Sequence, residues 1–425
     1  MNNSLMLIIV NALLYWITFI FYQIKKKRFD LGSLLLLVFA ISFSSSIYFF
    51  LNTNIDFTKY SILPSLYLYI CIMISIYPIL RYNEGIKIRK IKTHNNEIII
   101  EAVIIIFAIS SIIPFVENLF LCLKSSSDSS SYSIGSIYEN SIDIDQGLSW
   151  VGRKLNWLIN TFQYVIPVLF FYELSKPKIR KLILIGLILA VLSTVLNAYA
   201  NASRVGIVRI LFYFILSYFL SRSFLDLKKK KIFKKVGFLF VSLIIGLVLL
   251  VTIARFNYDT TGKIQNEDNP LLTWVSLYTG EGSLRFNTQM WHVNSHSNGD
   301  NCFSFVKDSF GFPTFIDNDK RRSYYASNMH IQTEVFYTFI GDFYSDFGKI
   351  GTFLLVILLS VLLQKILVKL RYGNIETIII AALILNIYIF GFTYFPYKTY
   401  QAQSVLFINL MFCLLLYVNR KIFIK

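Results

Sequence analysis

Charge is what this 425-residue sequence has least of: 15% of its residues are charged and 55% are hydrophobic, whereas an ordinary soluble domain is about 25% charged. That scarcity excludes a water-soluble globule, because the apolar surface exceeds what one core can bury. It also excludes a disordered chain, which needs charge and few aromatics. Acidic residues are scarcer than basic ones, 24 against 41, for a formal charge of +17. In a soluble protein that excess would point to nucleic acid; here its meaning depends on where the charges fall. Four cysteines are too few for a disulfide framework. Cys71, Cys122 and Cys413 sit in or beside apolar runs, Cys302 stands in a polar stretch, and the spacing gives no support for a Cys122–Cys302 bridge. There is no GxSxG, Walker A, HExxH or CxxC motif.

What the sequence has is long apolar runs. A membrane span takes roughly 20 apolar residues, and eleven stretches qualify: 4–24, 31–51, 61–80, 98–121, 156–173, 181–199, 204–221, 236–254, 349–366, 376–395 and 402–419. The fifth is short and the seventh opens on two arginines, so these two are the weakest. Basic residues cluster in alternate connections, which together hold 26 of the 41. By the positive-inside rule those connections are cytoplasmic. The alternation keeps its parity across all eleven spans, which predicts an outside N-terminus and a cytoplasmic C-terminus. The first run has no basic residue ahead of it and Lys25 to Arg28 after it, the order of a first span rather than a cleaved signal peptide. The expected fold is therefore an all-α polytopic membrane protein.

Two outer connections are long. Residues 124–155 carry a Ser-rich tract and several acids and read as weakly ordered. Residues 255–348 form a large outer loop between the eighth and ninth spans, rich in aromatics and long enough to carry function. Three regions follow: 1–254 with eight spans, the outer loop 255–348, and 349–425 with three spans. The outer loop has seven basic residues against eleven acids. The overall positive charge is thus a topology signal, and no nucleic-acid partner is expected.

Several polar residues stand where they are costly. Arg204 and Arg209 open the seventh span, and an intramembrane arginine normally faces a polar cavity or a partner. Glu117, near the outer end of the fourth span, is a candidate ion-pair partner for Arg209, whereas Glu101 reads as a solvated end residue. Arg255 follows the eighth span and Arg285 lies in the outer loop; planar guanidinium groups suit the oxygens of a diphosphate. The segment from Ser327 to Gly348 is too polar to span and too aromatic for a free loop, so it belongs at the interface. Its His330, Glu334, Asp342 and Asp346 are the acid/base candidates, with Asp346 equally readable as a helix cap and turn before the ninth span. Trp274, Tyr278, Trp291, Tyr324 and Tyr325 are candidate sugar-stacking aromatics. His292 and His296 have helical metal spacing without a third ligand, and no metal or other cofactor is expected.

The motifs Asn201-Ala-Ser-Arg204, Tyr278-Thr-Gly-Glu-Gly282, the stretch from Asn298 to Gly311, and Phe343-Tyr-Ser-Asp-Phe-Gly348 fall in this order around one large outer loop. Together they resemble the Wzy-type oligosaccharide repeat-unit polymerases over roughly residues 195–365. The resemblance implies a GT-C-like, metal-independent glycosyltransferase of the bacterial inner membrane. Its substrate would be an undecaprenyl-diphosphate-linked oligosaccharide, polymerised into O-antigen of lipopolysaccharide or into capsule, with a flippase and a chain-length regulator as partners in the bilayer. It implies Arg204 and, beside it, Arg255 as diphosphate contacts; Arg209, Arg285, Tyr278 and Tyr344 join them as candidate substrate-binding residues. It leaves the base open among Glu334, Asp342, Asp346 and His330. An O-antigen ligase is the nearest alternative, and a lipid-linked-oligosaccharide flippase the alternative of another class.

Overall fold

The computed structural model describes residues 3–82, 91–125, 147–256, 270–332 and 335–422. Among these residues the regular structure is helical, and the one β-bridge pairs Lys92 with Asn374. Among the described residues eight helices are long and apolar enough to cross a membrane, and three shorter apolar ones, Val165–Ser175, Phe240–Thr252 and Ile375–Ile389, overlap the remaining expected stretches. The chain divides into two compact units, residues 1–84, 262–368 and 384–407 in the first and 85–261, 369–383 and 408–425 in the second.

The first unit is built on α1 (Asn3–Lys26), α2 (Leu31–Asn52), α3 (Ile62–Arg81) and the later α11 (Pro270–Thr288). Asp30 starts α2 with a capping box, its carboxylate accepting from the Ser33 backbone while the Ser33 hydroxyl takes the Asp30 N–H. Apolar helices gain little by the hydrophobic effect from meeting each other in lipid, so small residues and close packing hold them. Tyr15 stacks on Phe43 at 3.9 Å, and Trp16 donates to the Ser44 hydroxyl at 2.7 Å. Gly280 lets α11 lie on α2: a Cβ there would meet the Ser45 carbonyl carbon at 2.6 Å. The Ser42 hydroxyl, on the same face, donates to the Thr279 carbonyl at 2.6 Å.

The second unit contains α4 (Glu97–Ser110), α5 (Ile112–Ser125), α6 (Trp150–Thr161), α7 (Val165–Ser175), α8 (Lys181–Ala200), α9 (Arg204–Ser221) and α10 (Leu227–Phe256). Residues 156–173, expected as one span, are two helices broken at Phe162–Tyr164. Pro167 explains part of the break, since proline is tolerated in the first turn of a new helix, where its missing N–H has no acceptor to lose. Every residue of α7 from Val165 to Glu173 is buried, so this 11-residue helix is a core element of its unit. Glu173 receives Arg180 at 2.8 and 2.7 Å and Lys176 at 2.7 Å. Glu101 pairs with the same two cations rather than standing in solvent.

Three further helices matter for the site: α12 (Ser304–Ser309), α13 (Asn318–Met329) and α14 (Thr338–Leu370). Gly348 interrupts α14 with φ 65° and ψ −169°, a conformation open to glycine. The polar turns before it are thereby set off from the apolar stretch after it. Two helices close the chain, α15 (Ile375–Ile389) and α16 (Tyr400–Ile422).

Candidate active site

The site lies within the first unit, where the polar start of α14 meets the segment between α15 and α16. Thr338 and Phe339 donate their backbone N–H groups to the carbonyls of Thr393 and Gly391, each at 2.9 Å. This docks residues 391–398 beside the helix. Asp342, buried one turn on, accepts the Phe395 N–H at 2.6 Å through one carboxylate oxygen. Its other oxygen faces Lys398 Nζ at 3.6 Å.

Asp342 and Asp346, i and i+4 on α14, share a helix face, and both are buried. Their surroundings separate them. Asp346 accepts from the Ser297 hydroxyl, from the Asn301 N–H at 3.0 Å and side-chain amide at 3.1 Å, and from the Cys302 N–H at 2.8 Å. Its carboxylate is committed to folding the loop at 297–302, where Asn298 and Gly299 both take positive φ. The Asn298–Gly311 motif is thus held in place by Asp346. Asp342 keeps an oxygen directed at a cation and a pocket.

That pocket has about 40 Å³ of free volume and is lined among others by Asp342, Lys398, Arg321, Arg322, Tyr325 and Tyr337. Arg321 comes from α13, whose N-terminus Asp317 caps by accepting from Asp319 and Lys320. The Arg321 guanidinium donates to Asn318 at 2.8 Å, to the Asp300 carbonyl at 3.2 Å and to the Lys398 carbonyl. It therefore fixes the backbone of the residue that carries the second cation. Buried Asp300 takes Lys307 and the Tyr325 hydroxyl. Burial pushes Arg321 and Lys398 below their ordinary pKa ranges, and in each case Asp342 opposes the shift. Burial, and then Asp300, push Tyr325 up, so this phenol stays protonated. A carboxylate facing one cation, in a pocket lined by two arginines, can accept a proton where an anion would bind.

Sequence reasoning missed Lys398 altogether and counted Arg321 and Arg322 only as loop charges. The available signal was weak: a pair of arginines in a polar stretch, and a lysine beside Pro396 between two apolar runs.

The other expected residues fall as follows. Arg285 is fully buried and pairs with Glu281, one turn back, at 2.7 Å. It also donates to Gln289 at 3.2 Å, and Gln289 stands 3.0 Å from the Tyr337 hydroxyl, so Arg285 reaches the pocket only through two side chains. Tyr278 packs on Phe336, which stacks with Tyr394 beside Lys398. Tyr344 is a core residue, its ring near Tyr67, Phe286 and Trp291 and its hydroxyl donated to the Trp291 carbonyl at 3.0 Å. His330 is an exposed left-handed residue closing α13, and Glu334 lies outside the described residues. His296 packs against Gly348, and among the described residues no group of three metal-ligating side chains forms. Cys302 is a buried free thiol, raised by burial and by Asp346.

Arg204, Arg209 and Arg255 belong to the second unit. Arg204 is the buried first residue of α9, whose N-cap Ser203 accepts from the Gly206 N–H. Arg209 is half-buried one turn further on, and the Arg255 side chain falls outside the described set. Glu117 does not pair with Arg209. It accepts the Ser149 N–H at 3.2 Å and hydroxyl at 2.6 Å, at the positive end of α6. Cys122 donates to the Leu196 carbonyl at 3.1 Å.

No protein-family model matches the chain, and none of the curated proteins or solved structures compared with it matches either.

Proposed function

We propose that the chain is a membrane glycosyltransferase of GT-C-like design that polymerises lipid-diphosphate-linked oligosaccharide repeat units, at the outer face of a bacterial inner membrane. The observation that carries the reading is the buried Asp342 carboxylate set among Lys398, Arg321 and Arg322. Glycosyl transfer breaks the bond between the donor's anomeric carbon and the diphosphate oxygen and joins that carbon to an acceptor hydroxyl. The hydroxyl proton goes to Asp342, and the leaving diphosphate carries away negative charge that cations stabilise. The pocket's volume suits a hydroxyl-sized group, which is the acceptor's reacting end. Tyr278, Phe336 and Tyr394 form an aromatic row beside Lys398 suited to sugar faces. The sequence motif alone marks Arg204, Arg209 and Arg255 as candidate anion contacts of the second unit. Undecaprenyl diphosphate as the carrier, and O-antigen or capsule as the product, come from the sequence resemblance.

The test is gel analysis of surface glycan from a deletion strain complemented with wild-type chain or with Asp342→Asn. The proposal expects polymer from wild type and single repeat units from the deletion and the variant. Retained lipid-linked polymer would instead indicate a ligase, and cytoplasmic accumulation of lipid-linked units a flippase.

A further inference from the structure

We propose that α6 is a headgroup-binding helix that seats the phosphate of an anionic phospholipid between two tryptophans, an inference independent of the glycosyltransferase reading. One face of α6 is covered. Gly152, Asn156 and Ile159 are buried at helical spacing. Gly152 lies against Glu117, and Asn156 accepts from Asn118 at 3.3 Å, so the inward face is small and polar. The outward face carries Trp150, Arg153, Lys154 and Trp157, spaced i, i+3, i+4 and i+7. Trp150 is 69% and Trp157 61% exposed.

This is the reverse of a water-facing helix, which hides its large apolar groups. Two cations also exclude a position in the hydrocarbon core, and 12 residues are too few to span it. Indoles with arginine and lysine on one exposed face fit one environment, the boundary between acyl chains and headgroups. The same unit supplies continuity: along α5, which packs on α6, Val116, Phe120 and Leu123 form an exposed apolar band at helical spacing.

The four outward side chains bound one shallow, open depression on this face. The face has no carboxylate, and neither Arg153 nor Lys154 forms an ion pair among the described residues. The charge is therefore available to an anion, and the indoles position that anion at headgroup depth. The occupant is an anionic phospholipid rather than a soluble phosphate ester, because the exposed indoles need acyl chains beside them.

The experiment uses the full chain in phosphatidylcholine nanodiscs, titrated with phosphatidylglycerol brominated near the headgroup, with tryptophan quenching as the readout. The expected result is quenching at low mole fraction of brominated phosphatidylglycerol but not of brominated phosphatidylcholine, and its loss in Trp150→Phe/Trp157→Phe. Arg153→Gln/Lys154→Gln should raise the midpoint roughly thirtyfold, from about 1 kcal/mol per interfacial cation. Equal midpoints for the two lipids, or an unchanged midpoint in the glutamine variant, would overturn the proposal. So would displacement by millimolar glycerol 3-phosphate, which would make the ligand a soluble phosphate.

Discussion

Asp342 and Asp346 stand one helical turn apart on α14, yet Asp346 is filled by donors from the loop at 297–302 while Asp342 meets one backbone N–H and the Lys398 ammonium. The first is a structural carboxylate; the second is the one proposed to take the acceptor's proton. Asp346→Ala should leave the Asn301 and Cys302 N–H groups buried without an acceptor, at about 1–3 kcal/mol for each orphaned group. Thermal unfolding in detergent should show a clear loss of stability. Asp342→Asn keeps the shape and should unfold near the wild-type temperature while losing activity.

Lys398 is pushed below the ordinary lysine range by burial, so its charge is lost as pH rises through a value lower than that of a free lysine. Activity that needs the cation should fall on the alkaline side earlier than an exposed lysine would allow. Lys398→Met should abolish activity at all pH values. Lys398→Arg, whose charge persists, should retain part of it and move the alkaline limb upward. An identical pH profile in the arginine variant would remove Lys398 from the chemistry.

Gly280 is the contact point of α11 on α2. Gly280→Val should separate the two helices and cost about 1–3 kcal/mol or more, the usual range for overpacking. Folded yield on size-exclusion chromatography checks it. Gly246, where a Cβ meets nothing within 4 Å, gives the control, and Gly246→Ala should be tolerated.

Glu117 serves Ser149 and the start of α6. Glu117→Gln should therefore cost only about 1 kcal/mol and should not reproduce Arg209→Gln. Matching phenotypes in glycan gels would restore the ion pair suggested by their sequence positions.

Membrane character and most helix positions were legible in the sequence, because a long apolar run in lipid satisfies its own backbone groups as a helix and hydropathy records such runs directly. Where 156–173 splits into two helices, hydropathy could not help: both pieces are apolar, and the break is set by a capped short helix and by Pro167. The i, i+4 spacing of Asp342 and Asp346 was readable, but their different roles were not, since these come from a loop 40 residues earlier and a segment 50 residues later. Lys398 was invisible for the same reason. Tyr278-Thr-Gly-Glu-Gly282 read as a functional motif, yet its glycines are packing positions: Gly280 meets α2, and a Cβ at Gly282 would meet the Phe392 carbonyl oxygen at 2.9 Å. Its glutamate pairs with Arg285. Contacts between distant segments are what a single sequence conceals.

Asp342 and its cations are proposed to perform glycosyl transfer from a lipid diphosphate. The most direct measurement is the reaction of the full chain, in proteoliposomes, with an undecaprenyl-diphosphate-linked oligosaccharide repeat unit. The account predicts a ladder of longer lipid-linked glycans with release of undecaprenyl diphosphate, and neither product from Asp342→Asn. A ladder of wild-type length and rate from the folded Asp342→Asn protein would contradict it.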